Sequence, residues 1–184
     1  MKSSSIVFAS ALFLAAGGAF AQIAPAPQAA PAAAGPTDAQ IAHIVVTANQ
    51  VDIDAGKLAQ SKGKSNDVKA FGKQMITDHT GVNKQAVALV TKLKVKPEDN
   101  PTSQSLKKGG EDNVKNLKTL SGAAFDKAYV DHEVAYHQQV LDAVDKVLIP
   151  NAKNDELKAL IVKVRPAFVA HLDHAKMIQA KLAK

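Results

Sequence analysis

His79, His137 and His171 each fall within the apolar face of a different amphipathic segment, near its middle. Asp52 holds a similar place in a fourth segment, and Glu133 stands one helical turn before His137. At about 1.5 Å of rise per residue, the four segments bring these groups to one depth within about a turn. Antiparallel packing preserves that match, so three imidazoles and two carboxylates meet in one layer of the core. A buried imidazole has two ring nitrogens to satisfy, and a buried carboxylate is costly unless paired or metal-bound. Neutral imidazoles, with a carboxylate to offset charge, suit zinc, iron, manganese or copper. The spacing therefore predicts a transition-metal site. His79, His137 and His171 are its ligands; Asp52 and Glu133 are either ligands or hydrogen-bond partners of the ligands. The competing reading is a metal-free polar core in which the same groups satisfy one another.

Other polar residues point elsewhere. His43 lies near a segment end and is expected in solvent, and His132 is expected at the rim of the apolar arc. Asp54 points away from Asp52, and Asp78 is expected as a partner of a histidine or a surface acid. Asp126 lies on the face of His137 but roughly 16 Å away along the axis, so a capping role is expected. Tyr129 and Tyr136 read as core aromatics with a polar handle. His174 flanks His171. The chain has no Cys, which excludes disulfides, thiolate metal sites and thiol catalysis. It has no nucleophile motif, phosphate loop or dinucleotide fingerprint, so no organic cofactor is expected, and binding is favoured over catalysis.

Helices must position these side chains. Thr37-Asp38 is an N-cap signal, and Ile41, Ile44, Ala48, Val51, Ala55 and Leu58 trace one buried stripe of a helix over about 38–60. A second helix is expected over about 67–93, with two seven-residue rows, Val68-Met75-Val82-Leu89 and Gly72-His79-Ala86-Leu93. Pro97 and Pro101 predict a loop over 95–103. A weaker helix follows over about 106–120, where Gly109-Gly110 speaks against helix. The third core helix is expected over about 123–148, closed by Pro150 and Asn151. The last begins near Asn154, with Pro166 expected to kink or break it near Val164. The expected fold is all-α: a four-helix bundle, ferritin-like in its long crossover between the second and third core helices.

Residues 1–21 combine an early Lys, a short apolar core and Ala19-Phe20-Ala21, the pattern of a cleaved secretory signal peptide. Residues 22–36 are rich in Ala and Pro and read as a linker. Residues 37–184 form one helical domain. A periplasmic location, free or envelope-associated, follows as an expectation, with no transmembrane segment in the mature chain. The net charge is +6, carried by scattered Lys with Arg165 as the sole Arg. Base readers concentrate Arg and aromatics, so no nucleic-acid partner is expected. Weak attraction to anionic envelope polymers, and an unknown envelope partner, fit the charge better.

The run Ala48-Asn49-Gln50-Val51-Asp52-Ile53-Asp54-Ala55-Gly56-Lys57-Leu58-Ala59 resembles a bacterial family of exported helical proteins, the domain of unknown function 4142 family. So do Met75 with Asp78-His79, and Gly122-Ala123-Ala124-Phe125-Asp126-Lys127-Ala128-Tyr129. His137, and His171 with Ala175, complete the likeness. Members are often labelled outer-membrane proteins and placed in the ferritin-like superfamily. The resemblance implies a ferritin-like bundle and an envelope location, and no assigned activity. The chain departs from the di-iron pattern, which uses carboxylates on all four helices and two Glu-x-x-His motifs. Here His171-Leu172-Asp173-His174 replaces one motif, and Ile76 stands three residues before His79. A single ion fits such a histidine-rich set better than a di-iron centre. The expected function is metal binding, with a role in envelope stress or metal handling. The alternative is a metal-free structural or interaction protein of the envelope.

Overall fold

A computed structural model describes residues 35–184, so the expected signal peptide and nearly all of the linker lie outside the described residues. Within them the protein is all-helical, with five helices and no strand. These are α1 (Asp38–Lys62), α2 (Asn66–Lys92), α3 (Pro101–Thr119), α4 (Gly122–Ala143) and α5 (Asp155–Leu182). α4 runs on through a π-helical turn (Val144–Leu148) and a last helical turn (Ile149–Asn151).

Local chemistry sets the starts. Thr37 accepts from the backbone N–H of Gln40, and the Gln40 side chain answers on the backbone of Thr37. That reciprocal cap satisfies two orphan donors at the start of α1. Ser65 caps α2, Asn100 caps α3 and Asn154 caps α5. Asp126 is reached from outside its own helix: its carboxylate accepts from the backbone N–H groups of Lys64 and Ser65, at 2.8 and 2.7 Å. It thus ties the α1–α2 link, and the entry to α2, to the first turn of α4.

Partner residues fix the directions. Val46, Asn49 and Gly56 of α1 lie against Asn83, His79 and Gly72 of α2, so this pair is antiparallel. Asp67 meets Lys181 and Gln74 meets His174, making α2 and α5 antiparallel. Asp131 with Gln179 and Asp145 with Arg165 do the same for α4 and α5. Tyr136 donates to the carbonyl of Ala48 at 3.0 Å, which joins α4 to α1. α1, α2, α5 and α4 therefore surround one core in that order. α3 instead lies along α1 in the parallel sense: Asn100 bonds the Gln40 carbonyl, Gly110 faces Val51, and the Lys62 ammonium reaches the Leu117 carbonyl.

Two close approaches explain glycines in helices. A β-carbon on Gly72 would stand 2.7 Å from the backbone oxygen of Gly56, so these positions let α1 and α2 touch backbone to backbone. One on Gly110 would stand 2.6 Å from the Val51 side chain. The Gly109-Gly110 pair thus does not end α3; the second glycine seats it on α1. Two proline expectations also change. Pro101 begins α3 instead of lying in a loop, because the first helical position has no use for an N–H. Pro166 neither ends nor splits α5, which is helical throughout. The proline sits on the solvent side, and so does Val162, whose carbonyl loses its partner there.

The core is layered. Phe71, Met75, Phe125, Tyr129, Val130 and Ile178 fill one end. Ile41, Ile44, Leu148, Leu157 and Ile161 fill the other. Val82, Leu141, Phe168 and Leu172 form a third apolar group. The buried histidines and carboxylates come from the helix positions between these ends.

Candidate metal centre

Each surrounding helix buries a polar residue inside its apolar stripe. α1 buries Asn49 and Asp52 between Val45 and Ala55; α2 buries His79 between Met75 and Val82. α4 buries Glu133 and His137, one turn apart, and α5 buries His171 beside Phe168 and Leu172. Glu133 is 0 % exposed, and none of Asp52, His79, His137 and His171 exceeds 3 %. The structure gathers all five residues singled out from sequence. One nitrogen from each of the three histidines lies within 4.8 Å of the other two, and Asp52, Glu133 and His137 offer donor atoms within the same limit. The three ring centroids are 5.2, 5.5 and 5.7 Å apart.

One nitrogen of every ring is anchored by an acceptor. Asn49 donates its amide to the Val45 carbonyl at 2.7 Å, which turns its oxygen towards His79 Nδ1, also at 2.7 Å. Nδ1 must therefore carry hydrogen, and the lone pair of a neutral His79 resides on Nε2. His137 Nδ1 faces the Glu133 carbonyl at 3.0 Å, which leaves the lone pair of its neutral form on Nε2. His171 Nε2 donates to Asp78 Oδ2 at 2.9 Å, which leaves the lone pair on Nδ1. The remaining atoms, His79 Nε2, His137 Nε2 and His171 Nδ1, are buried and have no hydrogen-bond partner among the described residues. An acceptor that fixes the far nitrogen is the arrangement that orients metal-bound imidazoles and raises their basicity. Buried polar atoms are normally paired, so three such orphans in one layer fit a cation that takes nitrogen donors.

The carboxylates add charge. Asp52 Oδ1 and both Glu133 carboxylate oxygens also lack hydrogen-bond partners among the described residues. Burial pushes the Asp52 carboxyl well above its ordinary range; the His137 charge opposes that, and Glu133 adds to it. Burial works against a charge on His137, yet Asp52 and then Glu133 outweigh it and raise this imidazole to about 9. Burial and the neighbouring His137 and His171 hold His79 well below its ordinary value. Burial also lowers His171, with Asp78 opposing. Without an ion, His137 is the ring that holds a proton charge at neutral pH, and His79 and His171 are neutral rings ready to donate lone pairs. Burial, Glu133 and Asp52 push the Tyr129 hydroxyl well up, so it stays protonated.

The remaining residues fall largely where expected. His132 is half-buried and stacks on Tyr136, and His43 pairs with Asp99 at 3.6 Å near the start of α1. Asp54 binds Lys57 at the surface. His174 contacts Gln74 and takes no part in the three-histidine group. Asn49 is the residue that sequence reasoning passed over. Its signal was present: an amide on the apolar stripe three residues before Asp52, where a helix places near neighbours. Phe168, stacked on His79 with centroids 5.4 Å apart, was read only as core.

No curated protein and no solved structure matched the chain. The model of the domain of unknown function DUF4142 family matches residues 23–178, and the chain belongs to that family.

Proposed function

We propose that this protein is an exported, periplasmic, ferritin-like four-helix bundle that binds a transition metal ion in its core and serves metal handling or stress protection in the envelope. His79, His137 and His171 are the ligands; Asp52 and Glu133 offset the charge or complete the coordination. The observation that carries this reading is the set of three orphaned nitrogens, each on a ring whose other nitrogen is anchored. Three imidazoles suit zinc, iron, manganese or copper. The ferritin-like reading is supported by α3, which returns along α1 between α2 and α4. Export is supported by the signal-like residues 1–21, and no described helix is long and apolar enough to cross a membrane.

Elemental mass spectrometry of tagless protein purified from the periplasm tests the site, beside the triple variant His79→Ala/His137→Ala/His171→Ala. About one ion per chain, lost in the variant, is expected. Equal metal in both sinks the reading.

One observation favours a metal-free structural or interaction role. Nδ1 of His137 lies 3.4 Å from Glu133 Oε2, and Nδ1 of His79 lies 3.4 Å from Asp52 Oδ2, so charge can be balanced internally. Under that reading no ion binds after reloading with zinc, iron, manganese and copper, and the search turns to envelope partners.

A further inference from the structure

A cavity of about 30 Å³ abuts the histidine layer. Its polar lining is Asn49, Asp52, His79 and His137. The rest is apolar, with Val140, Val144 and Leu148 contributed from α4 and Ile161, Val164 and Phe168 from α5. His171 and Glu133 do not line it, so it touches only part of the metal layer. Val144 and Leu148 begin and end the π-helical turn, in which the Ile149 N–H reaches back to the Val144 carbonyl. Such turns inside α-helices often mark functional sites; here the turn shapes one wall of the chamber.

The space and its chemistry define what fits. Roughly 10–15 Å³ suffices for one water, but a water also needs two to four polar partners. The apolar end of this chamber offers none. An anion is disfavoured, because the apolar walls provide no hydrogen bond to offset its desolvation. We infer that the chamber admits a small, uncharged, apolar diatomic molecule to the exposed side of the metal site. This rests on the metal reading above and deepens it: an ion held by His79 and His137 would border an apolar compartment that these two residues line.

Two probes separate the chamber from the metal. Crystals of metal-free protein under xenon pressure report the chamber alone, since xenon needs only apolar space. Xenon density among Val144, Val164 and Phe168 is expected, and its absence from wild-type crystals overturns the inference. Protein loaded anaerobically with Fe(II) and titrated with nitric oxide reports access to the ion by electron paramagnetic resonance. Val164→Phe and, from the other helix, Val144→Phe fill the chamber without replacing a metal ligand. Each is expected to keep the iron stoichiometry and to weaken nitric oxide binding at least tenfold. Unchanged nitric oxide affinity in a folded, iron-loaded variant overturns the inference. Failure of wild-type protein to load iron, zinc, manganese or copper overturns the metal reading and the ligand role with it, while xenon density in the same protein shows that the chamber stands.

Discussion

The side chains that do not touch the ion decide how well it is held. Asn49 and Asp78 each fix the far nitrogen of a histidine, so removing either lets the ring turn and its proton move. Loss of such an outer partner typically costs roughly 10–100-fold in metal affinity. Asp78→Ala is the cleaner test, because Asp78 is 40 % exposed and its loss leaves no core cavity. Metal titration should show that loss, whereas Asp54→Ala, which breaks only surface contacts with Gln50 and Lys57, should leave affinity unchanged. Equal affinity in the two variants would separate Asp78 from the site. Proton binding gives a second test at this scale. The folded value of His137, about 9, lies above its ordinary 6.5, and Asp52 is raised too. At these two groups the fold therefore binds protons that the unfolded chain releases, whereas His79 and His171, held low, have the opposite sign, with their contribution already largely present above about 6.5. For His137 the resulting stability is fully present below about 6.5 and is lost as pH climbs through about 9. Metal-free protein should melt at lower temperature at pH 9 than at pH 6.5. The metal-induced rise in Tm should grow over the same interval, since an ion needs the deprotonated ring. A metal-free Tm that rises between those pH values contradicts the charge assignment.

At the scale of the helices, glycines and prolines carry the testable claims. Gly72 brings α1 against α2, and a methyl group there meets backbone that cannot swing aside. Gly72→Ala should destabilise by about 1–3 kcal/mol through overpacking, outweighing the gain in helix propensity. Gly81, in the same helix, has nothing within 4 Å of an added methyl. Gly81→Ala should stabilise by about 0.5–1 kcal/mol. Opposite signs in urea melts are expected, and equal signs would refute the close approach. The same residues show how far the sequence could be read. Three-four periodicity found the four long helices and placed His79, His137 and His171 inwards, because burial of a stripe is written in composition. Pro101 misled, and Gly109-Gly110 weakened a helix reading that holds, because their effect depends on what lies opposite and on position within the turn. Gly110 meets Val51, and Pro101 occupies the first turn of α3. Pro166 was read as a kink or a break; the helix continues through it, and the face it occupies looks to water. The π-helical turn at Val144–Leu148 had no local signal at all, since Val-Asp-Lys-Val-Leu fits an ordinary helix equally well. The partnership of Asn49 with His79 joins residues from two helices, and one helix's periodicity does not reveal it.

Across the whole molecule, the candidate ligands come from every helix around the core, so an ion there would connect α1, α2, α4 and α5 at once. α3 stands outside that set, held to α1 by Asn100, Gly110 and the Lys62 contact. Metal binding should therefore stabilise the surrounding helices together and leave α3 to open independently. An ion at 100 times its dissociation constant adds about 2.7 kcal/mol, and each kcal/mol raises Tm by roughly 2–4 °C in a domain of this size. A rise of about 5–10 °C on loading is expected, absent from the triple histidine variant. Hydrogen exchange should resolve the same event by element, with protection gained in α1, α2, α4 and α5 and little change in α3. A metal-free polar core makes the opposite forecast. No ion would then shift Tm, and the triple variant would lose stability, because Asp52 and Glu133 would remain buried without the His137 charge beside them. The two readings thus part on one comparison: whether added metal raises Tm in the wild type and not in the triple variant, or shifts neither.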